Sequence, residues 1–400
     1  MTHSFAPDVS PPQRRWKAFT TVLAEAGHQI SVVAPGMNPQ GRPAEEVAET
    51  EAPTNNVRLF NYRTWPRPRR LLSKAASSLL QALVSIPVGL RAGRQDIVIA
   101  TIPALSTLLS GYLVSRLMGA RFVVDLRDSW PNLFRDSKIL RSERLEPWAT
   151  KSMLAVLRRA DLVVAVTGGL ARVAGAQGMQ RVATVPNGVD LAAYPQPLAR
   201  GASRPTDRRL RVLYLGNLGL SQGLETLVRA AAQLRETVEV RLVGEGHARE
   251  RLRQMAEELD APVTFIDPVR GAKVLDMYRW ADTTLVSLRA DWPSFEHTIP
   301  SKLYELLALD VHVTGLVSGE AAQIIRQAEA GDVVSQSVDS LVEHLRLLQR
   351  DDASLRRPGL GPKWIAGHAD LVALGQDYLQ HLQDLPQPVR RRAPKPARKP

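Results

Sequence analysis

The segment 294–310 (SFEHTIPSKLYELLALD) carries the side chains whose types and spacing are best suited to chemistry. Pro300 suits a first helical turn, and Thr298 or Ser301 is placed to cap it. A helix starting there aims backbone N–H groups and the positive end of its dipole at the preceding loop, an arrangement that favours a diphosphate. Lys302 adds a mobile positive charge. Glu305 falls one turn beyond Ser301 on nearly the same face, where a carboxylate can accept both hydroxyls of a ribose. Phosphate at one end and sugar at the other describe one nucleotide. A capped amphipathic helix with a Lys302–Glu305 surface pair fits the same residues equally well.

Such a helix needs strands to aim it, and the surrounding sequence supplies them. Residues 210–215 (LRVLYL) read as a buried strand running into Gly216-Asn217-Leu218-Gly219-Leu220-Ser221-Gln222-Gly223, with a helix over 224–234. A second strand, 238–243, ends on Gly244-Glu245-Gly246-His247 before a helix over 248–259. Strands follow at 263–266 and 283–287, the latter leading to the opening segment. Glycines at a strand-to-helix turn let backbone approach a phosphate closely. Three strand ends offering glycine or a helix start at one edge favour a binding crevice over scattered turns.

The first half has the same rhythm. Strand patterns at 57–62, 96–100, 121–126 (RFVVDL), 161–166 and 181–185 alternate with helical ones at 10–25 and 106–118. Repeated βα units imply a parallel sheet covered on both faces. Ligands of such sheets sit beyond the carboxyl ends of strands, where Arg127-Asp128 falls. The helix at 10–25 feeds a strand at 29–34, and a helix so placed normally follows a strand. Only residues 1–5 precede it, so a central strand is expected to be truncated by a start inside it, or to survive as a stub. One segment breaks the pattern. Arg67, Arg69 and Arg70 precede residues 71–90, in which Leu72, Ala76, Leu79, Leu83 and Ile86 share a helical face. Lys74, Gln81 and Pro87 interrupt it, so it suits a helix lying on an anionic membrane surface rather than one crossing it. An ordinary helix packed on the sheet is the alternative.

Length and composition bound these readings. Four hundred residues allow two or three domains, and 44% hydrophobic with 23% charged residues is globular. The absence of cysteine excludes disulfides, thiolate metal sites and a cysteine nucleophile. An excess of 52 basic over 40 acidic residues favours anionic partners. Part of that excess is the segment 386–400, rich in arginine, lysine and proline, which cannot build a core and is expected to be disordered. With 5% aromatic residues and no recognised basic-aromatic module, nucleic acid is not an expected partner.

The ordered series LGNLGLSQGLETLVRAA, LVGEGHARERL, VTFIDPV, YRWADTTLVSL and TIPSKLYELLA resembles the C-terminal half of family 4 retaining glycosyltransferases of GT-B fold. AEAGHQISVVAP, VVDLRDSWP and VPNGVDLAAYP resemble their N-terminal half. The likeness spans roughly residues 1–370 and is nearest to the bacterial cell-surface polysaccharide branch that transfers N-acetylated amino sugars such as fucosamine. It implies an α/β chain of two Rossmann-like domains with parallel sheets facing a central cleft. An acceptor-binding domain over 1–198, a linker at 199–209, a donor-binding domain over 210–360, a crossing helix at 361–385 and the basic tail would make up the chain.

The resemblance also implies site roles. Glu305 matches the second glutamate of the family's paired-glutamate motif, the one that grips ribose. The first position falls on His297, with Glu296 one place early, and the lysine of the family's phosphate loop is replaced by Gln222. Backbone at Gly216, Asn217 and Gly219 and at Thr298, Ile299 and Ser301 would face the diphosphate, Pro300 lacking an N–H. Gly244 and Glu245 sit where relatives line the base and ribose pocket. Lys302 would help the leaving phosphate. Asp128 is the candidate for acceptor positioning or proton transfer and Arg127 for phosphate or acceptor contact, unless the two form a structural ion pair. No Asp-x-Asp motif occurs, so neither a metal nor another cofactor is expected. The implied partners are a nucleotide sugar, with uridine as its base by resemblance alone, a lipid-linked saccharide acceptor and the anionic inner face of the plasma membrane, reached from the cytoplasm. A nucleotide-sugar epimerase or hydrolase of the same fold, or a non-catalytic sugar-nucleotide binder, are the other readings.

Overall fold

The computed structural model describes residues 1–2, 5, 11–36, 56–62, 71–102, 105–127, 145–194, 198, 208–355 and 359–386. Among these, chain contacts separate one unit that runs to Val185 and resumes at Val372 from a second spanning Pro186–Leu371. The division thus falls at Pro186, ahead of the basic stretch that reads as a linker. Most of that stretch, residues 199–207, lies outside the described residues, as does the tail from residue 387.

In the first unit the elements are α1 (Pro11–Glu25), β1 (Ile30–Pro35), β2 (Val57–Tyr62), α2 (Leu71–Arg91), β3 (Ile97–Ile102), α3 (Leu105–Met118), β4 (Arg121–Leu126), α4 (Leu145–Leu157), β5 (Leu162–Ala165), α5 (Gly168–Ala176) and β6 (Val182–Thr184). Two sheets form, β1–β2 and β3–β4–β5–β6, parallel throughout. Residues Met1 and Thr2 lie between them. Thr2 N–H donates to Val33 O at 3.1 Å, Thr101 N–H donates to Met1 O at 3.1 Å, and the Met1 amino group donates to Ile99 O at 2.6 Å. These two residues therefore act as the stub of a central strand. The Met1 amine is buried there, and desolvation pulls its pKa down to about 5.

The second unit holds β7 (Leu210–Leu215), α6 (Glu225–Gln233), β8 (Val238–Val243), α7 (Arg249–Glu258), β9 (Val263–Ile266), α8 (Ala272–Trp280), β10 (Thr283–Ser287), α9 (Ser301–Ala308), β11 (Val313–Leu316), α10 (Gly319–Gln327), β12 (Gly331–Val333), α11 (Val338–Arg350) and α12 (Leu360–His368). Its six strands run in the order β12–β11–β10–β7–β8–β9, all parallel. Strands β10 and β11 are buried at every position because helices cover both faces, so their residues are continuously apolar or small rather than alternating. The order reverses between β7 and β10. In a doubly wound sheet that reversal opens a crevice beyond the strand ends, and ligands bind there.

A single crossing helix over 361–385 is expected from the sequence; the structure has two, α12 and α13 (Leu371–Gln383). The break exists because the backbone there pairs with Val189, whose N–H donates to Ala369 O while Leu371 N–H donates to Val189 O. The Asp370 carboxylate accepts from Leu191 N–H at 3.1 Å, fixing the turn. From Val372 onward the chain belongs to the first unit, where Tyr378 packs on Phe19 and Trp16 of α1.

At the amino edge of the second sheet lies a buried polar chain. His312 Nδ1 is 2.8 Å from Thr283 Oγ1, which is 2.8 Å from Thr314 Oγ1, itself 3.2 Å from His344 Nε2. Desolvation lowers the His344 pKa, against a weaker opposite pull from Asp332. The unfolded chain then binds the proton more readily than the folded one, so His344 costs nothing above its ordinary titration range and costs stability as pH falls below it. The urea midpoint should fall from pH 7 to pH 5 more steeply in the wild type than in His344→Gln. Parallel pH profiles would remove His344 as a cause.

Candidate active site

The site residues of the second unit come from the carboxyl ends of β7, β8 and β10. After β7 the chain turns through Gly216–Gly219, closed by a short 3-10 turn, Leu220–Gln222. The Gln222 side chain works inside this loop, its Oε1 accepting from Gly219 N–H at 3.1 Å. The Ser287 hydroxyl at the end of β10 donates to Gln222 O at 2.5 Å, and Arg289 N–H donates to Ser221 O at 2.9 Å. Burial raises the Tyr214 pKa, keeping a neutral phenol that donates to Asn217 O at 2.9 Å. The loop is thus braced from beneath while Asn217 stays exposed.

The loop after β8 interlocks with it. Gly216 N–H donates to Val243 O at 3.0 Å and Leu218 N–H to Glu245 O at 2.7 Å. Gly244 and Gly246 take φ of 143° and 158°, and a Cβ on either would lie 1.9 Å from Gly216 O or 2.2 Å from Leu218 O. Only glycine permits both the backbone angle and the approach. Glu245 is exposed at this edge.

Helix α9 follows the 3-10 turn Pro293–His297. Contrary to the sequence expectation, neither Thr298 nor Ser301 caps it. Pro300 occupies the cap position with no side-chain hydrogen bond, Ser301 is the first helical residue, and the Thr298 hydroxyl donates back to Ser294 O at 3.1 Å. The helix therefore opens without a side-chain cap, and Ile299 is half-buried ahead of it. Lys302 Nζ donates to Glu305 Oε2 at 2.6 Å and stands 5.7 Å from the Tyr278 ring centre. Glu305 is only 5% exposed, so the pair is no solvated surface pair.

His297 faces a carboxylate that the sequence reading does not single out. Its Nδ1 lies 3.7 Å from Glu320 Oε1, in the first turn of α10. The signal was present as Ser318-Gly319-Glu320 following a buried strand, the same strand–glycine–helix grammar as at Gly216 and Gly244. A negative charge therefore stands beside His297.

In the first unit, Arg127 directly follows β4, with its side chain 6% exposed and its Nε 3.9 Å from Asp125 Oδ2. Asp125 also accepts from Arg15 Nη2 at 3.3 Å. Arg127 is thus tied to a buried ionic cluster. Asp128 lies outside the described residues, as do Arg67, Arg69 and Arg70 and the side chains of Leu72 and Leu79, whereas Leu83 is exposed. Among the described residues no helix is long and apolar enough to cross a membrane.

Two family descriptions match the chain in succession. The Glycosyl transferase 4-like domain covers residues 12–188, and Glycosyl transferases group 1 covers residues 209–351. The chain belongs to the family 4 glycosyltransferases of GT-B fold. This glycosyltransferase is 25% identical over 353 residues to the putative colanic acid biosynthesis glycosyl transferase WcaI of Escherichia coli strain K12, covering 81% of this chain and 85% of that protein. Its fold is that of sucrose-phosphate synthase from Thermosynechococcus elongatus, with a TM-score of 0.70, 18% identity and coverage of 92% and 91%. Anabaena HepE, solved in complex with UDP and glucose, gives a TM-score of 0.69 at 16% identity, with coverage of 96% and 99%. The parallel α/β architecture of the glycosyltransferase agrees with both.

Proposed function

We propose that this glycosyltransferase moves a sugar, an N-acetylated amino sugar, from a UDP-linked donor to a lipid-linked saccharide, with retention of configuration. The reaction would serve bacterial cell-surface polysaccharide synthesis at the inner face of the plasma membrane. Support for the pathway class comes from the likeness to WcaI, described as a colanic acid enzyme, and for the base from HepE, solved with UDP. The observation that carries the donor reading is Glu305, a nearly buried carboxylate beside the start of α9 at the sheet's switch point.

In this reading the donor's ribose hydroxyls take Glu305, and Lys302, now paired to Glu305, turns to the diphosphate. Charge grows on the leaving phosphate as the anomeric bond breaks, so a cation and a helix start placed there act most strongly in the transition state. Backbone of Gly216, Asn217 and Gly219, of Thr298 and Ile299 and of Ser301 would line the diphosphate, with Gly244 and Glu245 beside the base and ribose. Pro300 shapes the approach. Positive charge from Lys302 and α9 would make a divalent ion unnecessary. Arg127 and Asp128 would serve the acceptor, the first held by Asp125. A second reading, a binder without turnover, draws on His297 standing where the family has a glutamate and on Gln222 standing where it has a lysine; Glu320 beside His297 weighs against it by returning a carboxylate to the position.

Calorimetry of UDP, GDP and ADP without added metal tests the donor site. UDP should bind best, and Glu305→Ala should weaken it roughly ten- to a hundredfold, the loss expected for hydrogen bonds to a charged acceptor. Equal binding by wild type and variant, or no binding by either, would sink the reading.

A further inference from the structure

Helices α2 and α3 pack against each other with their small residues inward. On α2, Ala82, Ser85 and Gly89 are buried, and a Cβ on Gly89 would stand 3.1 Å from Val114 Cγ2. On α3, Ser110, Gly111 and Ser115 are buried, and a Cβ on Gly111 would meet Ala100 Cβ at 2.7 Å. The buried serines are satisfied within their own helices: Ser85 donates to Ala82 O, Ser110 to Ser106 O and Ser115 to Tyr112 O. Leu108 and Val114 of α3 share the buried side with these small residues, and several other leucines of the two helices face outward.

An ordinary surface helix buries its large apolar residues, whereas here only part of them is covered. Leu80, Leu83 and Leu90 of α2 are 43%, 57% and 40% exposed, and Leu113 and Leu117 of α3 are 45% and 67% exposed. Five of the nine large apolar side chains exposed among the described residues thus sit on two adjoining helices. Spacings of three and seven on α2 and of four on α3 put each set on one stripe. A concentration of this kind marks an interaction surface rather than random exposure. The stripe shares only Leu83 with the face read from the sequence, and α3, which reads there as an ordinary helix, supplies its other half.

Charge identifies the occupant. Arg91 and Arg94, at and just beyond the end of α2, and Arg116 on α3 are exposed, and neither helix contains an acidic residue. The geometry points to a two-helix platform that lies on an anionic lipid bilayer, leucines in the interface and arginines at the headgroups. A symmetric contact between two copies would instead set these arginines against their own counterparts. The platform deepens the lipid-linked acceptor reading, yet its test involves no sugar transfer and stands or falls by itself.

The full chain is sedimented with vesicles of phosphatidylcholine alone and of phosphatidylcholine mixed with phosphatidylglycerol. Wild type should partition onto the anionic vesicles roughly tenfold more strongly than onto the neutral ones. The pair Leu83→Glu/Leu117→Glu should lose that binding by about tenfold or more, and the triple variant Arg91→Gln/Arg94→Gln/Arg116→Gln should lose the anionic preference. All five positions are exposed, and unchanged urea midpoints would verify folding. Wild-type binding retained by the leucine pair would assign the lipid contact to the basic tail and overturn the platform. So would absence of vesicle binding by wild type, or concentration-dependent self-association that the leucine pair abolishes, which would make the face a contact between copies.

Discussion

Gly244→Ala should cost the protein at least about 3 kcal/mol and remove nucleotide binding along with it. The new Cβ would sit 1.9 Å from Gly216 O, a backbone atom held by the Gly216 N–H bond to Val243 O, so no side chain can swing aside. The backbone angle, φ 143°, is also one that L residues rarely adopt. Relief requires the β8 loop to pull away from the β7 loop, breaking the Leu218 N–H to Glu245 O bond that joins them. Both loops stand at the switch point, so stability and binding are lost through one displacement. Gly175→Ala is the matched control: its Cβ meets nothing within 4 Å on a helix, and the change should stabilise by a few tenths to about 1 kcal/mol. Urea melts of the two variants with UDP titrations decide the matter; a Gly244→Ala protein that melts and binds like wild type would show the interlock to be slack.

How much of this was readable in advance depends on where each constraint lives. Strands such as β4 and β8 have the limits their apolar residues suggest, although β4 also buries Asp125 and β8 alternates, with Glu239 and Arg241 half-buried. The Lys302–Glu305 pairing is a local spacing on one helix and is equally visible. Strand order is not local, so the switch point between β7 and β10 had to come from the fold. Glu320 is brought to His297 by the passage through β11, a tertiary relation that spacing along the chain does not encode. The failed cap at Thr298 has a similar cause: its hydroxyl finds Ser294 O in the preceding 3-10 turn, and that turn is set by packing. The break at Ala369–Asp370 arises from pairing with Val189, far away in sequence. Helical periodicity on α2 gives a face of which only Leu83 belongs to the exposed stripe, and it does not show that the small residues are the buried ones, since that choice is made by packing against α3.

The same distinction between local pattern and distant partner governs Arg15, which reads as an ordinary polar residue of α1 yet is 1% exposed. Arg15→Met should destabilise by about 3 kcal/mol, the low end for one partner removed from a buried ion pair. Its Nη2 donates to both Asp125 Oδ1 at 3.3 Å and Val185 O at 3.0 Å, and its guanidinium lies 4.4 Å from the Phe19 ring centre. Methionine keeps the packing over Phe19 but leaves Asp125, fully buried, with its remaining cation Arg127 at 3.9 Å. Arg15→Lys should fail nearly as badly, because a compact ammonium cannot span a carboxylate and a carbonyl as the planar fork does. Adding Asp125→Asn to Arg15→Met should recover much of the loss, since the amide needs no counter-charge, and the cycle of single and double variants should show coupling of about 1 kcal/mol or more. Additive losses would mean that Arg15 acts by packing alone. Coupling would give the cluster a second consequence on the proposed reading, in which Arg127, 3.9 Å from Asp125 at the end of β4, serves the acceptor and the second unit binds UDP: the variant that loosens Asp125 should then weaken acceptor use and leave UDP affinity unchanged.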